Sequence, residues 1–294
     1  MVAKPSPLVV IVGETASGKS DLALDLALRF NGEIINADSW SVYKGFDIGT
    51  AKPSREDREL IRHHLFDIAD PLTGFNAAAF KRLAVGQINS TSRSGKLPFL
   101  VGGTGLYIDS VLYNYSFLPD EGPNLRPVYN AMGLSELAET ARQHGYDLDG
   151  IDLNNKRRVI RLLENKGIRP TAGSLRKNTI VIGKKIDRTE LEANIAKRVD
   201  RMLSAGLEAE VKNLSAMYGW DIEPMKGIGY REFKDYFNGS KELAAVRQSI
   251  ISNSLGLAKK QRTWFKRNKS IQWFDNTGSI VEILTTFLNN LDAI

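Results

Sequence analysis

The chain has 294 residues, of which 42% are hydrophobic and 25% charged; its net charge is +6 and it contains no cysteine. Such a chain can bury a full core as one large domain, or as one domain with a smaller one. The lack of cysteine excludes disulfides, thiol catalysis and thiolate metal sites. No apolar run approaches the ~20 residues of a membrane span and no cleavable signal is visible at residues 1–7, so we expect a cytoplasmic protein without a membrane partner.

The first predicted elements are a buried strand at Leu8–Val12 and a helix over Asp21–Phe30. Between them lies the pattern GxxxxGK[ST], here called the phosphate loop, which comprises Gly13, Glu14, Thr15, Ala16, Ser17, Gly18, Lys19 and Ser20. Between a strand and a helix, the N–H groups of such a loop turn toward an anion and the helix dipole favours it. The pattern predicts a polyphosphate ligand, with Lys19 reaching a phosphate and Ser20 holding Mg²⁺.

Strand-like and helix-like segments alternate through the first hundred residues. A short strand is predicted at Glu33–Ala37, and a helix at Phe75–Asn89 with Asn76 as its cap. Another buried strand at Pro98–Val101 leads into a helix that ends at Leu112. This alternation predicts an α/β fold of the P-loop type, with a parallel sheet and helices on both faces.

The pattern changes after Tyr115, where proline and glycine accumulate over residues 117–127 and predict a linker. We expect a small helical insertion at 118–178, and a P-loop core with C-terminal helices formed by 1–117 and 179–294. The remaining predicted elements are helices at 134–144, 155–165, 188–205, 207–218, 243–266 and 279–291, and strands at 179–186 and 271–274.

Ligands of an open parallel sheet bind beyond the carboxyl ends of its strands. Three such ends lead into the phosphate loop, into Asp38-Ser39 and into Gly102-Gly103-Thr104, so all three are expected to open on one crevice. From its position alone, Asp38 is a ligand of Mg²⁺, a general base, or the cap of a helix over residues 39–43. Thr104 is either a helix cap or a contact to phosphate or substrate.

Patterns typical of other phosphate-loop proteins are missing from the sequence. No hydrophobic strand ends in Asp-Glu, as in ATPase motors, and neither the Asn-Lys-x-Asp of GTPases nor a protein-kinase catalytic loop is present. The histidines His63, His64 and His144 form no metal-ligand set, and we interpret His63-His64 as structural. Group transfer from a small polyphosphate therefore fits better than a hydrolytic motor.

Basic residues cluster at Lys156–Arg158 with Arg161, at Lys184-Lys185 and at Lys259–Lys269. Each cluster alone is typical of a solvated helix face, but three of them in a phosphate-binding chain favour a polyanionic partner. Trp264 and Phe265 interrupt the last cluster, either as RNA-facing residues or as core anchors of their helix.

Together these residues resemble the tRNA dimethylallyltransferases, also called tRNA isopentenyltransferases. The phosphate loop is similar to the family's GPTASGK[ST], and the segments DIGTAKP and GGTGLY are far more specific. The matching segments are Ala37–Ser39, Val42–Gly45, Asp47–Pro53, His63–Leu65, Asp67, Asp70-Pro71, Phe75–Ala77, Phe80, Gly102–Tyr107, Asn154-Asn155, Arg157–Arg161, Leu163-Glu164, Asp187-Arg188, Gly206-Leu207, Glu210-Val211, Gly229–Glu232 and Lys259–Phe265.

The resemblance implies transfer of a dimethylallyl group from dimethylallyl diphosphate to N6 of the adenine 3′ of a tRNA anticodon. Asp38 would be the general base, while Lys19 and Mg²⁺ on Ser20 would stabilise the leaving diphosphate. Thr104 would contact the flipped adenine, and Arg231 would lie near the diphosphate. The residues implied to contact the anticodon stem-loop are Asp38, Ser39, Trp40, Ser41, Thr104, Arg126, Arg157, Arg158, Val159, Ile160, Arg161, Lys226, Gly227, Ile228, Gly229 and Tyr230. The protein is expected to act as a monomer.

Two departures from the family pattern stand out. Ser41 replaces a glutamine that usually touches the tRNA, and the insertion is shortened, with about one helix between residues 118 and 154 where the family has a pair. The rival functions are an adenylate isopentenyltransferase acting on free AMP, ADP or ATP, a P-loop small-molecule kinase, and a nucleotide-gated RNA-binding protein without transfer chemistry. The basic helices favour tRNA, because a free nucleotide needs no extended basic track.

Overall fold

The computed structural model describes residues 6–117, 125–169 and 171–292. The chain forms two compact units, which we call the core unit (the chain up to Leu112 and from Leu175 onward) and the helical unit (Tyr113–Ser174). The insertion predicted at 118–178 differs from the helical unit by a few residues at each end. The linker predicted at 117–127 lies largely on residues 118–124, outside the described residues.

Six parallel strands form one sheet in the core unit. They are β1 (Leu8–Val12), β2 (Gly32–Asn36), β3 (His63–His64), β4 (Leu97–Gly102), β5 (Thr179–Lys184) and β6 (Ile271–Phe274). Their order is β3-β2-β4-β1-β5-β6, and each strand is parallel to its neighbours. Every residue of β1, β2 and β4 is buried, as expected for parallel strands covered on both faces. The predicted α/β class is confirmed.

Helices connect and extend the sheet. In chain order they are α1 (Lys19–Arg29), α2 (Arg55–Leu60), α3 (Ala77–Arg93), α4 (Gly105–Leu112), α5 (Arg126–Ala131), α6 (Leu134–Gln143), α7 (Lys156–Glu164), α8 (Arg188–Ser204), α9 (Leu207–Tyr218), α10 (Lys234–Phe237), α11 (Leu243–Phe265) and α12 (Thr277–Asp292). Asn76 caps α3 as predicted, because its side chain accepts the Ala79 N–H at 2.9 Å. The elements α2, β3, α5 and α10 were not predicted, since elements of two to six residues are too short to show a periodicity.

Among the described residues, apolar clusters stabilise the core unit, and two of them bear on the site. In the first, Leu26 of α1 and Leu284 of α12 pack with the sheet residues Val9 and Phe99. The second consists of apolar residues of α8, α9 and α11 that pack together with Tyr230. This second cluster supports the loops that line the site described below. Within residues 6–117, 125–169 and 171–292, no helix is long and apolar enough to cross a bilayer.

The helical unit has a small core of its own. Leu137 and Ala141 of α6 pack with Val159 and Leu163 of α7. Two helices, α5 and α6, lie between residues 125 and 154, where the sequence predicted about one. The additional helix α5 has only six residues, so it left no periodic pattern to detect.

Candidate active site

The phosphate loop joins β1 to α1, which begins at Lys19. Ala16 and Gly18 have left-handed backbones, with φ of 60° and 81°, so the chain turns sharply, as the backbone of an anion-binding loop does. A Cβ at Gly13 would lie 2.7 Å from Ser17 Oγ. That hydroxyl is buried and has no hydrogen-bond partner among the described residues. Oriented amides, a hydroxyl and a helix N-terminus together are a donor set for an anion.

Lys19 is buried at the start of α1, with its Nζ 3.4 Å from the carbonyl oxygen of Glu14. Burial lowers the pKa of Lys19 from 10.5 to about 8; the negative charge of Asp38 opposes this change and the positive charge of Arg198 adds to it. A bound anion favours the charged ammonium. Binding of a phosphate and protonation of Lys19 are therefore coupled.

Asp38 follows β2 and is half-buried. Its N–H donates to Asn36 Oδ1 at 2.9 Å, and its own Oδ1 accepts the Trp40 N–H at 3.2 Å. Residues 39–42 form bends and turns and Tyr43 forms an isolated bridge to Ala69. No helix follows Asp38 in this segment, so the helix-cap interpretation of Asp38 is wrong. Asp38, Lys19 and Arg198 all line the larger of the cavities described below, and the charge of Asp38 opposes the effect of burial on the pKa of both Lys19 and Arg198.

The ends of β2 and β4 are tied together. Thr104 Oγ1 accepts the Ser39 N–H at 3.0 Å and donates to Ser39 Oγ at 3.2 Å. A Cβ at Gly102 would lie 2.2 Å from the carbonyl oxygen of Ala37, so glycine is required for this close approach. Thr104 directly precedes α4, but its hydroxyl is used to hold Ser39. The predicted convergence of the strand ends is confirmed.

Helix α11 docks on the phosphate loop. Gln261 Oε1 accepts the Thr15 N–H at 2.8 Å, and Gln261 Nε2 donates to the carbonyl oxygen of Gly103 at 3.0 Å. Arg262 donates two hydrogen bonds to the carboxylate of Glu14. Glu14 was predicted to bind phosphate with the rest of the loop, but its side chain is committed to Arg262.

Trp264 and Phe265 anchor α11. Trp264 Nε1 donates to Asp109 Oδ2 at 2.7 Å, and the indole packs so closely that a Cβ at Gly105 would lie 2.3 Å from it. Phe265 is almost fully buried. Of the two interpretations left open for this aromatic pair, the structure supports core anchors.

Two cavities meet at Asp38. The larger has a volume of about 1050 Å³ and includes residues of the phosphate loop, whereas the smaller has a volume of about 270 Å³. The residues that line both cavities are Thr15, Asp38, Thr50, Arg198 and Met202. Asp38 is therefore part of the wall of both cavities.

Arg198 of α8 is a site residue that the sequence analysis missed. Its Nη1 donates to Thr15 Oγ1 at 3.2 Å, and burial lowers the pKa of its guanidinium while the charge of Asp38 opposes that change. Asn194, Arg198 and Arg201 all line the larger cavity. A signal was present in the sequence, since polar residues at positions i, i+4 and i+7 of a predicted helix share one face.

Arg231 lies in the smaller cavity, where its Nε donates to Glu232 Oε1 at 3.2 Å. The larger cavity is lined by Lys19 and Ser20. Of the two arginines, Arg198 belongs to the described lining of that cavity and Arg231 does not. Arg198 therefore lines the cavity that contains the phosphate loop, while the predicted role of Arg231 near the diphosphate stays a prediction.

Of the tRNA contacts predicted in the core unit, Asp38, Trp40, Ser41 and Lys226–Tyr230 line the two cavities, whereas Ser39 and Thr104 line neither. Trp40 and Lys226–Tyr230 line the smaller cavity. Tyr230 is buried and its hydroxyl donates to Glu210 Oε1 at 2.7 Å, so its side chain belongs largely to the core. Ser41 is also buried, and it lines the larger cavity instead of the smaller one.

Helix α7 carries the tRNA contacts predicted in the helical unit. The arginines that it exposes are Arg157, Arg158 and Arg161. Val159 and Ile160, also predicted as tRNA contacts, are buried in the core of the unit because the apolar face of the helix packs inward. Arg126 donates to Glu164 Oε2 at 2.6 Å.

The histidine pair predicted to be structural lies at the edge of the sheet. His64 Nε2 lies 2.7 Å from Glu33 Oε2, and His63 Nδ1 lies 2.7 Å from the carbonyl oxygen of Ile61. In the part of the chain that the structure describes, no three His, Cys, Asp or Glu side chains come together as a metal site.

Known proteins resemble this chain over most of its length. The family model described as IPP transferase matches residues 41–268. The tRNA dimethylallyltransferase of Anoxybacillus flavithermus is 41% identical over 285 residues, which cover 93% of this chain and 92% of that protein. The crystal structure of a tRNA isopentenylpyrophosphate transferase from Bacillus halodurans matches with a TM-score of 0.76 and 35% identity, covering 97% of this chain and 98% of that one. A eukaryotic dimethylallyltransferase acting on tRNA, at 24% identity, has the same fold, with a TM-score of 0.82 over 97% of this chain and 80% of its own.

Proposed function

The chain belongs to the IPP transferase family and is a tRNA-modifying prenyltransferase, and we propose how its two cavities perform the transfer. A dimethylallyl group passes from dimethylallyl diphosphate to N6 of the adenine 3′ of a tRNA anticodon, and diphosphate is released. The observation that carries this proposal is that Asp38 lines both cavities. A carboxylate in that place lies between a diphosphate leaving group and an incoming amine.

The larger cavity is proposed to hold the diphosphate donor. The phosphate loop, Lys19 and Arg198 supply N–H groups and two positive charges on its wall. Negative charge grows on the diphosphate as the carbon–oxygen bond of the donor breaks. These groups therefore stabilise the transition state more than the bound substrate, which is the condition for catalysis.

Mg²⁺ fits this cavity as a partner of the diphosphate. The ion prefers oxygen ligands and is usually bound by one or two protein oxygens together with substrate phosphates. Ser20 and Asp21 are exposed on the wall of the larger cavity and supply such oxygens. When bound, the ion would neutralise charge on the leaving diphosphate.

The acceptor amine needs help, because its lone pair is delocalised into the adenine ring. As the bond from N6 to the donor carbon forms, the carbon–oxygen bond breaks and its electron pair leaves with the diphosphate. N6 must then lose a proton, and Asp38 is proposed to accept it. The Trp40 N–H fixes one carboxylate oxygen of Asp38 in place.

The smaller cavity is proposed to receive the adenine after it leaves the anticodon stack. Trp40 and Lys226–Tyr230 form its walls. The exposed arginines of α7 are proposed to bind RNA phosphates, which position the stem-loop without reading its bases. One copy of the chain carries all of these groups, so we propose a monomeric enzyme.

Labelled dimethylallyl diphosphate, offered in parallel with tRNA, with AMP and without acceptor, tests the proposal. We expect label on tRNA and none on AMP. Label on AMP alone would establish an adenylate prenyltransferase. Tight tRNA binding without transfer would establish an RNA-binding protein, and ATP-dependent phosphorylation of a small molecule would establish a kinase.

A further inference from the structure

The carboxylate of Glu210 joins two loops. Glu210 lies in the first turn of α9. Its Oε2 accepts the N–H groups of Asp47 at 3.2 Å and Ile48 at 2.8 Å. Its Oε1 accepts the Gly49 N–H at 3.1 Å and the Tyr230 hydroxyl at 2.7 Å. An ionised carboxylate has about four lone-pair sites, so these four donors use all of them.

Both loops line the smaller cavity. The first, which we call the 47–50 loop, consists of turns and irregular backbone, and Gly49 and Thr50 lie on the cavity wall. The second is the 226–231 loop, all of which lines the same cavity. Three consecutive N–H groups bonded to one side chain fix the backbone of the first loop, and the Tyr230 hydroxyl ties the second loop to it.

The two loops also touch directly. A Cβ at Gly49 would lie 2.5 Å from the ring of Tyr230, and a Cβ at Gly229 would lie 3.4 Å from the carbonyl oxygen of Gly49. Gly229 has a φ of +94°, a conformation that favours glycine. The ring of Tyr230 packs 4.9 Å from that of Phe46. The spacing of the two loops thus depends on close backbone contact and on the shared acceptor.

Each loop has a further anchor of its own. Lys52 Nζ donates to the carbonyl oxygen of Tyr43 and to Asp47 Oδ1, both at 2.6 Å. Glu232 Oε2 accepts the Gly229 N–H at 2.8 Å. These bonds shape the individual loops, whereas Glu210 is bonded to both.

We propose that Glu210 is a positioning residue of the transfer reaction, which holds both walls of the smaller cavity at the spacing that the acceptor adenine requires next to Asp38. This inference rests on the proposed function, because it assigns the acceptor to the smaller cavity. The phosphate end of the larger cavity is formed by other groups, above all the phosphate loop and Arg198. Asp47, Ile48 and Thr50 also line the larger cavity, but among the described residues the partners of Glu210 include neither the phosphate loop nor Arg198. Loss of Glu210 is therefore expected to affect the acceptor more than the phosphate end of the donor.

Helix α9 also offers a matched control. Glu208, in the same first turn, accepts a hydrogen bond from the Tyr236 hydroxyl at 3.0 Å. This is the same Glu–Tyr chemistry on the same helix. Both residues lie in the described part of the chain, and neither lines either of the two cavities.

The experiment compares Glu210→Gln and Tyr230→Phe with Glu208→Gln and Tyr236→Phe. Transfer assays give kcat and KM for tRNA, calorimetry gives Kd for dimethylallyl diphosphate, and thermal unfolding gives Tm. We expect Glu210→Gln to lower kcat/KM for tRNA roughly 10- to 100-fold, the scale of a misplaced reactant, and Tyr230→Phe to lower it by a smaller factor. Both should bind the donor as the wild type does, and the two control variants should keep all kinetic values.

Two results would overturn the inference. One is a Glu210→Gln enzyme whose Tm falls but whose kcat/KM for tRNA equals that of Glu208→Gln; the other is a donor Kd that weakens as much as kcat/KM. If Glu210→Gln does not fold, Tyr230→Phe decides, because it removes only one of the four bonds. A wild-type protein that transfers no label to tRNA would instead contradict the proposed function, so the two failures are distinguishable.

Discussion

Gln261 accepts the N–H of Thr15 at 2.8 Å, so a residue 246 positions away along the chain holds the phosphate loop. The same amide donates to the carbonyl oxygen of Gly103. One buried side chain therefore connects the loops that follow β1 and β4. The phosphate loop depends on α11 for its shape, although its own pattern is local.

Replacing Gln261 with leucine should leave the Thr15 N–H and the Gly103 carbonyl without their partner. We expect a loss of about 1–3 kcal/mol in the free energy of unfolding, the usual cost of a buried group left unpaired, and weaker binding of dimethylallyl diphosphate by calorimetry. Gln248→Leu is the control, because Gln248 is exposed on the same helix. Equal donor affinity in the two variants would contradict this role.

Asp38→Asn should bind the donor normally and lose ~10²–10⁴-fold in turnover, the range typical of a general base. The amide keeps an oxygen for the Trp40 N–H but cannot accept the proton from N6. Single-turnover transfer to tRNA measures the effect, with Asp25→Asn on the exposed face of α1 as control. Turnover close to wild type would reassign Asp38 to local structure.

The pKa of Lys19, lowered to about 8 by burial, predicts a pH dependence of donor binding. Below that pH Lys19 is positively charged, and this charge attracts the negatively charged diphosphate. Affinity should therefore be constant below the pKa and fall as the pH rises through it. The donor also titrates, so the quantity to measure is the ratio of the wild-type Kd to that of Lys19→Ala at each pH. Lys19→Ala should bind dimethylallyl diphosphate more weakly at neutral pH and also turn over more slowly. A Kd ratio that is flat from pH 6 to 10 would argue against contact between Lys19 and the donor.

Arg198→Ala should weaken donor binding and reduce kcat/KM by roughly 10²-fold, the scale of losing one group that stabilises developing charge. Arg231→Ala should keep the donor affinity, because Arg231 lines the smaller cavity. Calorimetry with dimethylallyl diphosphate compares the two variants directly. The reverse order of effects would restore Arg231 as the arginine of the diphosphate.

Arg158→Ala should weaken tRNA binding similarly for different tRNA sequences. It should also reduce the slope of log Kd against the logarithm of the salt concentration by the contribution of about one phosphate contact. Transfer at saturating tRNA should change little. Titrations over a range of potassium chloride measure the slope, with Arg169→Ala as a control in the same unit, since Arg169 pairs with Asp147. A shallow slope in the wild type would mean that the helical unit does not bind RNA phosphates.

Local patterns predicted much of the fold. The strands β1, β2 and β4 and the long helices have an apolar run or a helical period that is visible without the rest of the chain. The elements α2 and β3 do not, because six and two residues are too few to show a periodicity. Val159 shows the limit of a motif, since the resemblance marked it as a tRNA contact while the apolar face of α7 buries it.

The sequence by itself determined the parallel sheet, the phosphate loop and the placement of Asp38 at a strand end, because each follows from residues that are close together in the chain. Only the tertiary structure decided three contacts of the site. Arg198 is the arginine beside the phosphate loop, and Arg262 donates hydrogen bonds to the carboxylate of Glu14. Glu210 joins the 47–50 and 226–231 loops. These partners are separated by 20 to 248 residues along the chain. Such contacts depend on how α8, α9 and α11 pack around the sheet, and no local period or spacing encodes that packing.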